Sequence, residues 1–245
     1  MRGSLKIFTW FGIPVFVHWS FGLIFLYILW HAYSNGLSPY ETLWLSGLFM
    51  AIFGCVLLHE YGHALAARRY GVRTRDIVLM PIGGMARLER MPEKPWQEFV
   101  VAIAGPMVNV GIAFCLILAI GAFTDPEHLE AIRTAMLSEA NNEPIEETGV
   151  HVSKLLQYTI NLTISNLILV VFNLIPAFPM DGGRVLRALL SMRIGRARAT
   201  RIASWMGQGF AMLFAIWGIY SGNFTLSLLG LFVIYAARTE NDMVQ

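Results

Sequence analysis

One apolar stretch decides the fold of this chain, and it reads LWLSGLFMAIFGCVLLHEYGHALAA over residues 43–67. It exceeds the roughly 20 apolar residues that an α-helix needs to cross the hydrocarbon core of a bilayer. Near its end stand His59, Glu60 and His63. Ionisable side chains are expensive inside a membrane span and mark functional sites by default. The stretch therefore predicts a transmembrane helix that carries chemistry.

The composition of the whole chain is that of a multipass membrane protein. Of its 245 residues, 56% are hydrophobic and 14% are charged, and the mean hydropathy is +0.57. Soluble domains average about 45–50% apolar and about 25% charged residues. A disordered chain is thereby excluded and an ordinary soluble globule is disfavoured. The net charge of +2 indicates no nucleic-acid partner, so the lipid bilayer is the expected environment.

Hydropathy predicts an all-α membrane protein of one polytopic domain (1–245). Its six transmembrane helices lie at about 13–33, 43–67, 97–123, 154–175, 203–220 and 223–238. The first has no small-residue cleavage site at its end, so we interpret it as an uncleaved span. Between the second and third, a β-prone run is followed by a proline and a glycine pair. This pattern predicts a short membrane-associated β-hairpin near 72–90.

Basic residues predict the orientation of the chain. Of the 18 Lys and Arg residues, 16 fall at span ends and loops of one side, and only Arg133 and Lys154 fall on the other. The loop 124–154 on that second side is acidic. Lys and Arg are enriched in cytoplasmic loops. Both termini are therefore expected in the cytoplasm, which requires an even number of spans.

The segment His59-Glu60-Tyr61-Gly62-His63 is an H-E-x-x-H pattern. Residues four apart share one face of a helix, so both imidazoles can reach a single metal ion. Glu60 is rotated by about 100° from His59 and can stand beside the open metal position. A buried His-Glu network that only ties helices together is the alternative, and three ionisable groups within five positions are costly for such a role.

A catalytic zinc site needs a third protein ligand, and Asp181 is the best candidate. It follows the fourth predicted span in a segment with two prolines and two glycines, NLIPAFPMDGGR over 173–184. Such a break lets a short acidic side chain turn back into the bundle. Asp181 could instead cap the helix that begins near Gly182. Because Asp181 and His63 both precede arginines of the basic side, we favour the ligand role.

At these residues the sequence resembles the site-2 protease family of intramembrane zinc metalloproteases. The matching segments are HEYGH (59–63), PIGGMARLE (81–89), AGPMVN (104–109) and NLIPAFPMDGG (173–183). The resemblance extends over essentially the whole chain. It predicts either a compact member of the family or a shortened piece of a longer one, because the 124–154 loop is too short for a PDZ domain and the residues after Arg238 are too few for a CBS domain.

The resemblance implies one catalytic Zn²⁺ bound by His59, His63 and Asp181, with Glu60 as the general base. It implies that Asn173 holds the substrate backbone or the developing oxyanion, although an interhelical hydrogen bond is an alternative for this residue. Gly83 and Gly84 would belong to a strand that pairs with an unwound substrate.

The expected function is hydrolysis of a peptide bond in a membrane-spanning substrate near the cytoplasmic leaflet. The family resemblance implies regulated intramembrane proteolysis of an anti-sigma factor or a tethered transcription factor, at the plasma membrane of a prokaryote. An inactive relative that binds or escorts membrane helices is the alternative. A zinc transporter is disfavoured, because the polar groups gather near one leaflet.

Several other polar residues receive structural interpretations. Asn109 and Asn166 are expected to form hydrogen bonds between helices. We interpret His18 as a core histidine and Cys55 as a small buried residue, with a role as fourth ligand or redox brake as the alternative for Cys55.

Overall fold

The elements follow one another along the chain in the order predicted for the central spans, with an added sheet. This computed structural model describes residues 3–81, 83–92, 94–126, 130 and 153–222. Its main elements are strands β1 (Ser4–Trp10) and β2 (Ile13–His18), helices α1 (Gly22–Ser34) and α2 (Pro39–Arg69), strands β3 (Thr74–Met80) and β4 (Gly83–Leu88), and helices α3 (Pro95–Phe123), α4 (Lys154–Asn173), α5 (Asp181–Ile194) and α6 (Arg196–Tyr220).

Three of the described helices are long and apolar enough to cross a membrane, namely α2, α3 and α4. They coincide with the second, third and fourth predicted spans. The fifth predicted span (203–220) lies within α6, which does not meet the same criterion. The sixth (223–238) lies outside the described residues. Six spans and cytoplasmic termini therefore stay predictions.

The first predicted span (13–33) is wrong over its first nine residues. Residues 13–18 form strand β2, residues 19–21 form a 3₁₀ turn, and helix α1 begins only at Gly22. Hydrophobic periodicity does not distinguish a short apolar strand from the start of a helix. With 13 residues, α1 is about 20 Å long at 1.5 Å per residue, which is less than the roughly 30 Å of hydrocarbon core.

The predicted hairpin is present, and it is half of a larger sheet. Strands β3 and β4 pair antiparallel, with Ile77 opposite Ala86. Strand β2 pairs parallel with β3 and antiparallel with β1, so the order is β1-β2-β3-β4. The fold is therefore mostly helical with a four-stranded sheet, and all-α is too narrow a description. Strand β4 lies at the sheet edge.

An ion pair fastens the hairpin across its two strands. Arg87 on β4 donates from Nε to Asp76 Oδ1 on β3 at 2.5 Å, and its Nη2 bonds the other carboxylate oxygen. Asp76 is buried and Arg87 is half-buried. The hydrogen bond with Asp76 raises the pKa of Arg87.

Two local features fix helix α2, one at its first turn and one beside the histidines. Its first turn begins at a capping box, in which Ser38 Oγ accepts from Glu41 N and the Glu41 carboxylate accepts from Ser38 N. Farther along, Gly62 lies against α3, since a Cβ atom there would approach the Ala104 carbonyl oxygen to 2.7 Å. A glycine between the two histidines therefore lets α2 and α3 pack closely around the site.

Candidate metal centre

Three side chains from distant parts of the sequence converge on one point. Asp181 Oδ2 lies 3.0 Å from His59 Nε2 and 3.0 Å from His63 Nε2, and the two Nε2 atoms are 3.1 Å apart. All three residues are buried, with 4–8% of their surface exposed. The structure thus brings together the two histidines of α2 and the aspartate at the start of α5, as the sequence predicts.

Each imidazole is held by its other nitrogen. His59 Nδ1 lies 2.6 Å from Asn109 Oδ1, and His63 Nδ1 lies 2.7 Å from the Val101 carbonyl oxygen. Both partners are acceptors, so the Nδ1 atoms carry the protons and the Nε2 lone pairs point to the common centre. Hydrogen bonds of this kind fix the tautomer and the ring orientation of metal-binding histidines.

The hydrogen bond to His59 continues through two buried amides. Asn109 Nδ2 on α3 donates to Asn166 Oδ1 on α4 at 2.8 Å, which confirms the predicted interhelical bond. Asn166 Nδ2 donates to the Leu162 carbonyl oxygen at 2.8 Å and to Cys55 Sγ at 3.4 Å. Cys55 is buried and is not among the residues that could hold the metal.

Gly105 of α3 lies directly against both imidazoles, and its sequence context does not reveal this close approach. A Cβ atom at this position would approach His63 Nε2 to 2.2 Å and His59 Nε2 to 2.7 Å. Only the absence of a side chain therefore lets α3 pass beneath the site. The only local sequence feature at this position is the Gly105-Pro106 pair, which is typical of a helix kink. In the structure, helix α3 continues through Pro106.

A tight bend presents Asp181 to the histidines. A Cβ atom at Gly182 would come within 2.2 Å of the Ile175 carbonyl oxygen, and one at Gly183 would come within 2.6 Å of Phe178 N. The two glycines therefore allow the bend to fold back on the first turn of α5. The capping position is Met180, with no side-chain capping bond, so the alternative role of Asp181 as a cap is not realised.

Glu60 lies beside the cluster and contacts the edge strand. Its Oε2 accepts a hydrogen bond from Ala86 N of β4 at 2.8 Å. A Cβ atom at Gly84 would meet Glu60 Cγ at 2.7 Å, so the second glycine of the pair gives Glu60 its room. Gly83 adopts a φ of +136° with open space around it.

Two other predicted residues lie apart from these contacts. Asn173 is half-buried in the last turn of α4, and its side chain makes no hydrogen bond to another described residue. His18, which we expected in the core, is half-buried, and its Nδ1 lies 2.7 Å from Ser20 Oγ.

The donor set fits zinc. Two imidazole nitrogens and one carboxylate oxygen form a group whose ligand atoms all lie within 4.8 Å of one another. Atoms at about 2.0–2.1 Å from a tetrahedral zinc ion are about 3.3–3.4 Å apart. The observed separations of 3.0–3.1 Å therefore need to open by only a few tenths of an ångström. Three protein ligands also leave the fourth position open, as in catalytic zinc sites.

Comparisons with known proteins agree with this geometry. Residues 47–216 match peptidase family M50. The chain belongs to that family. A site-2 protease from Methanocaldococcus jannaschii has a similar structure, with a TM-score of 0.66, 35% identity and coverage of 97% of this chain and 95% of that one. The predicted family resemblance is thereby confirmed.

Two curated relatives of this M50 chain carry zinc in their names. A zinc metalloprotease of M. jannaschii is 35% identical over 100% of this chain and 62% of its own length. A putative zinc metalloprotease of Synechocystis is 33% identical over 98% and 60%. The stage IV sporulation protein FB of Bacillus subtilis is 30% identical over 78% and 56%. The chain thus spans about three fifths of the curated relatives it matches most fully. Together with the donor set, the names of the two metalloproteases confirm the predicted zinc cofactor.

Proposed function

We propose that this M50 chain is an intramembrane zinc metalloendopeptidase, with His59, His63 and Asp181 as its zinc ligands. The observation that carries the proposal is the buried convergence of these three side chains at 3.0–3.1 Å, with both histidines on a helix apolar enough to cross a membrane. Structural metal sites are usually closed by four protein ligands. A three-ligand cluster beside a carboxylate favours catalysis over a structural role.

Glu60 serves as the general base in this proposal. When bound, zinc supplies Lewis acidity, which polarises a carbonyl and lets a water molecule lose its proton near neutral pH. Glu60 takes that proton and later passes it to the leaving amine. Its Oε2 is held by Ala86 N, while Oε1 has no hydrogen bond to any described residue and is available for the proton.

Strand β4 receives the substrate in this proposal. The amides of a helical substrate are engaged in intrahelical hydrogen bonds, so the substrate has to unwind near the scissile bond. An extended segment can then add to an exposed sheet edge through main-chain hydrogen bonds. The support is that β4 ends the sheet order and contacts Glu60 through Ala86 and Gly84. Asn173 then holds the substrate backbone or the oxyanion.

The substrate class that we propose is a single-span membrane protein cut near its cytoplasmic end. A tethered regulator, such as an anti-sigma factor or a membrane-bound transcription factor, fits this class, and the process is regulated intramembrane proteolysis. The charge asymmetry of 16 basic residues to 2 supports a cytoplasmic position of the site. The prokaryotic relatives support the plasma membrane as its location.

Replacing Glu60 by glutamine tests the function. Glutamine keeps the size of the side chain but cannot take a proton. We expect Glu60→Gln to keep one zinc ion per chain and to lose about 10²–10⁴-fold in cleavage rate, the usual contribution of a general base. The assay uses a co-reconstituted single-span fusion protein with helix-breaking residues in its span, and fragments are quantified on gels.

Glu89→Gln is the matched control. Glu89 is an exposed carboxylate directly after strand β4, the strand that Glu60 contacts. We expect this variant to cleave at the wild-type rate. Full cleavage by the zinc-loaded Glu60 variant would refute its role as base. If zinc-loaded wild-type protein cleaves none of several single-span fusion proteins, the result would instead favour the alternative that the chain is an inactive relative that binds membrane helices.

A further inference from the structure

A second cluster of charges is buried about two helix turns from the metal centre, since Glu98 precedes Gly105 by seven residues and Arg187 follows Asp181 by six. Glu98 on α3 and Arg187 on α5 are 2% and 1% exposed. Arg187 Nε donates to Glu98 Oε1 at 2.6 Å, and Nη2 lies 2.6 Å from the same oxygen. Arg196, at the start of α6, places Nη2 3.6 Å from Glu98 Oε2. By sequence alone, both arginines count only as basic residues of the cytoplasmic side.

A contribution to the stability of the fold does not explain why this pair is buried. Desolvation of two charges offsets most of their attraction, and well-packed apolar residues often stabilise a fold as well or better. The planar guanidinium of arginine, in contrast, fixes direction as well as distance. The contribution of this pair is therefore geometric: it sets the position of α5 along α3.

Arg187 also contacts the bend that carries Asp181. Its Cζ lies 5.0 Å from the centre of the Phe178 ring, and Phe178 is three residues before Asp181 in the chain. The Phe178 backbone is confined between two glycines, since Cβ atoms at Gly183 and Gly207 would approach it to 2.6 and 2.4 Å. Arg187 thus holds the bend from its side-chain face, while α5 and α6 hold its backbone.

Glu98 belongs to the face of α3 that arranges the two histidines. Val101, Gly105 and Asn109 contact the imidazoles from this helix. With Glu98 they stand at i, i+3, i+7 and i+11, a spacing that places all four on one stripe of a helix. One stripe of α3 therefore contacts all the ligand-bearing elements: α2 through the imidazoles and α5 through Glu98.

We propose that Glu98 and Arg187 are positioning residues that hold Asp181 at bonding distance from the metal bound by His59 and His63. The proposal rests on the zinc site described above. Asp181 stands at the first residue of α5, so a shift of this helix along α3 carries its carboxylate away from the imidazoles. The ion pair is a polar contact between α3 and α5 that opposes such a shift.

The test uses the full chain in detergent and measures the metal site directly. The double variant Glu98→Gln/Arg187→Met removes both charges together, because removing one alone would leave an uncompensated buried charge. We measure zinc affinity by competition with a chelator and record the visible absorption of the Co²⁺-loaded protein, which reports ligand geometry. We expect zinc to bind about 10–100-fold more weakly, the usual effect of changing residues that position metal ligands, and the Co²⁺ bands to shift.

The matched control is Asp76→Asn/Arg87→Met, which removes the carboxylate–guanidinium pair of the hairpin. We expect its zinc affinity to stay within about twofold of wild type. Arg187→Lys keeps the charge but not the planar fork, and we expect an intermediate loss; this variant serves if the double variant does not fold.

Three outcomes overturn the inference: wild-type zinc affinity with an unchanged Co²⁺ spectrum in the double variant, wild-type affinity in Arg187→Lys where the double variant does not fold, or an equal loss in the control pair. Wild-type protein that binds no zinc would contradict the proposed function itself. Zinc-binding wild type with an unchanged double variant would contradict only the roles of Glu98 and Arg187.

Discussion

At the scale of single residues, Gly105 leaves the least room for a side chain beside the metal centre. Its missing side chain leaves the space that both Nε2 atoms occupy. We predict that Gly105→Ala weakens zinc binding by about tenfold or more, comparable to the loss of a residue that orients a metal ligand. The added methyl group would need to displace His63 Nε2, which would otherwise lie only 2.2 Å from the new Cβ atom. Zinc content after dialysis and chelator competition measures the loss.

Gly111→Ala supplies the control on the same helix. A Cβ atom at Gly111 meets nothing within 4 Å, and alanine favours a helix over glycine by about 1 kcal/mol. We expect this variant to bind zinc normally and to melt at an equal or higher temperature. Equal zinc affinity in the two variants would contradict the role assigned to Gly105.

The three proposed metal ligands could be predicted from the sequence, and the residues that support them could not. His59 and His63 follow from helix periodicity, and Asp181 follows from a helix break near the same basic side, with a role as helix cap as the alternative. Gly105 carries no chemistry of its own, so its role appears only once α3 is placed beneath the imidazoles. Glu98 and Arg187 are 89 positions apart, and nothing local in the sequence indicates that they meet.

At the scale of elements, the bend 174–180 depends on how closely α6 approaches it. Gly207 of α6 lies against Phe178, whose carbonyl oxygen would be 2.4 Å from an added Cβ atom. We predict that Gly207→Ala lowers the free energy of unfolding by about 1–3 kcal/mol, the usual cost of overpacking, and weakens zinc binding. Thermal unfolding and chelator competition measure the two effects.

The control stands two positions away on the same helix. Gly209 has nothing within 4 Å of its Cβ position, so Gly209→Ala should leave zinc binding unchanged. If Gly207→Ala binds zinc as tightly as Gly209→Ala, the bend does not depend on α6.

The helices α2, α3 and α4 were predictable because long apolar runs identify membrane spans. Strand β2 was not, because its six residues continue directly into the apolar sequence of α1. Its parallel partner β3 is about 60 residues away, so the pairing has no local signal. The hairpin of β3 and β4 could be predicted, because its strands are adjacent in the chain and Pro81 and the glycine pair mark the junction between them.

At the scale of the whole molecule, helix α3 runs from the basic side of the chain to the acidic side. Glu98 and Arg196 meet near its first residues, and Asp125 lies two residues beyond its last residue, Phe123. These ends are about 40 Å apart at 1.5 Å per residue, more than the roughly 30 Å of hydrocarbon core. We predict that a cysteine at position 125 faces the outside and one at position 198 faces the cytoplasm.

Labelling with a membrane-impermeant maleimide measures this orientation in a background without Cys55 and Cys115. Asp125→Cys should react in intact cells, and Arg198→Cys should react only after permeabilisation. Both native side chains are exposed, so accessibility within the protein does not limit the reaction. Labelling of both positions from one side would contradict the predicted topology.

Zinc K-edge X-ray absorption of the purified chain tests the central claim most directly. We predict one zinc ion per chain with a first shell of nitrogen and oxygen at about 2.0–2.2 Å, including two imidazoles. Asp181→Ala should change that shell or lose the metal. A sulfur ligand at about 2.3 Å, or an Asp181→Ala spectrum identical to that of the wild type, would contradict a zinc ion bound by His59, His63 and Asp181.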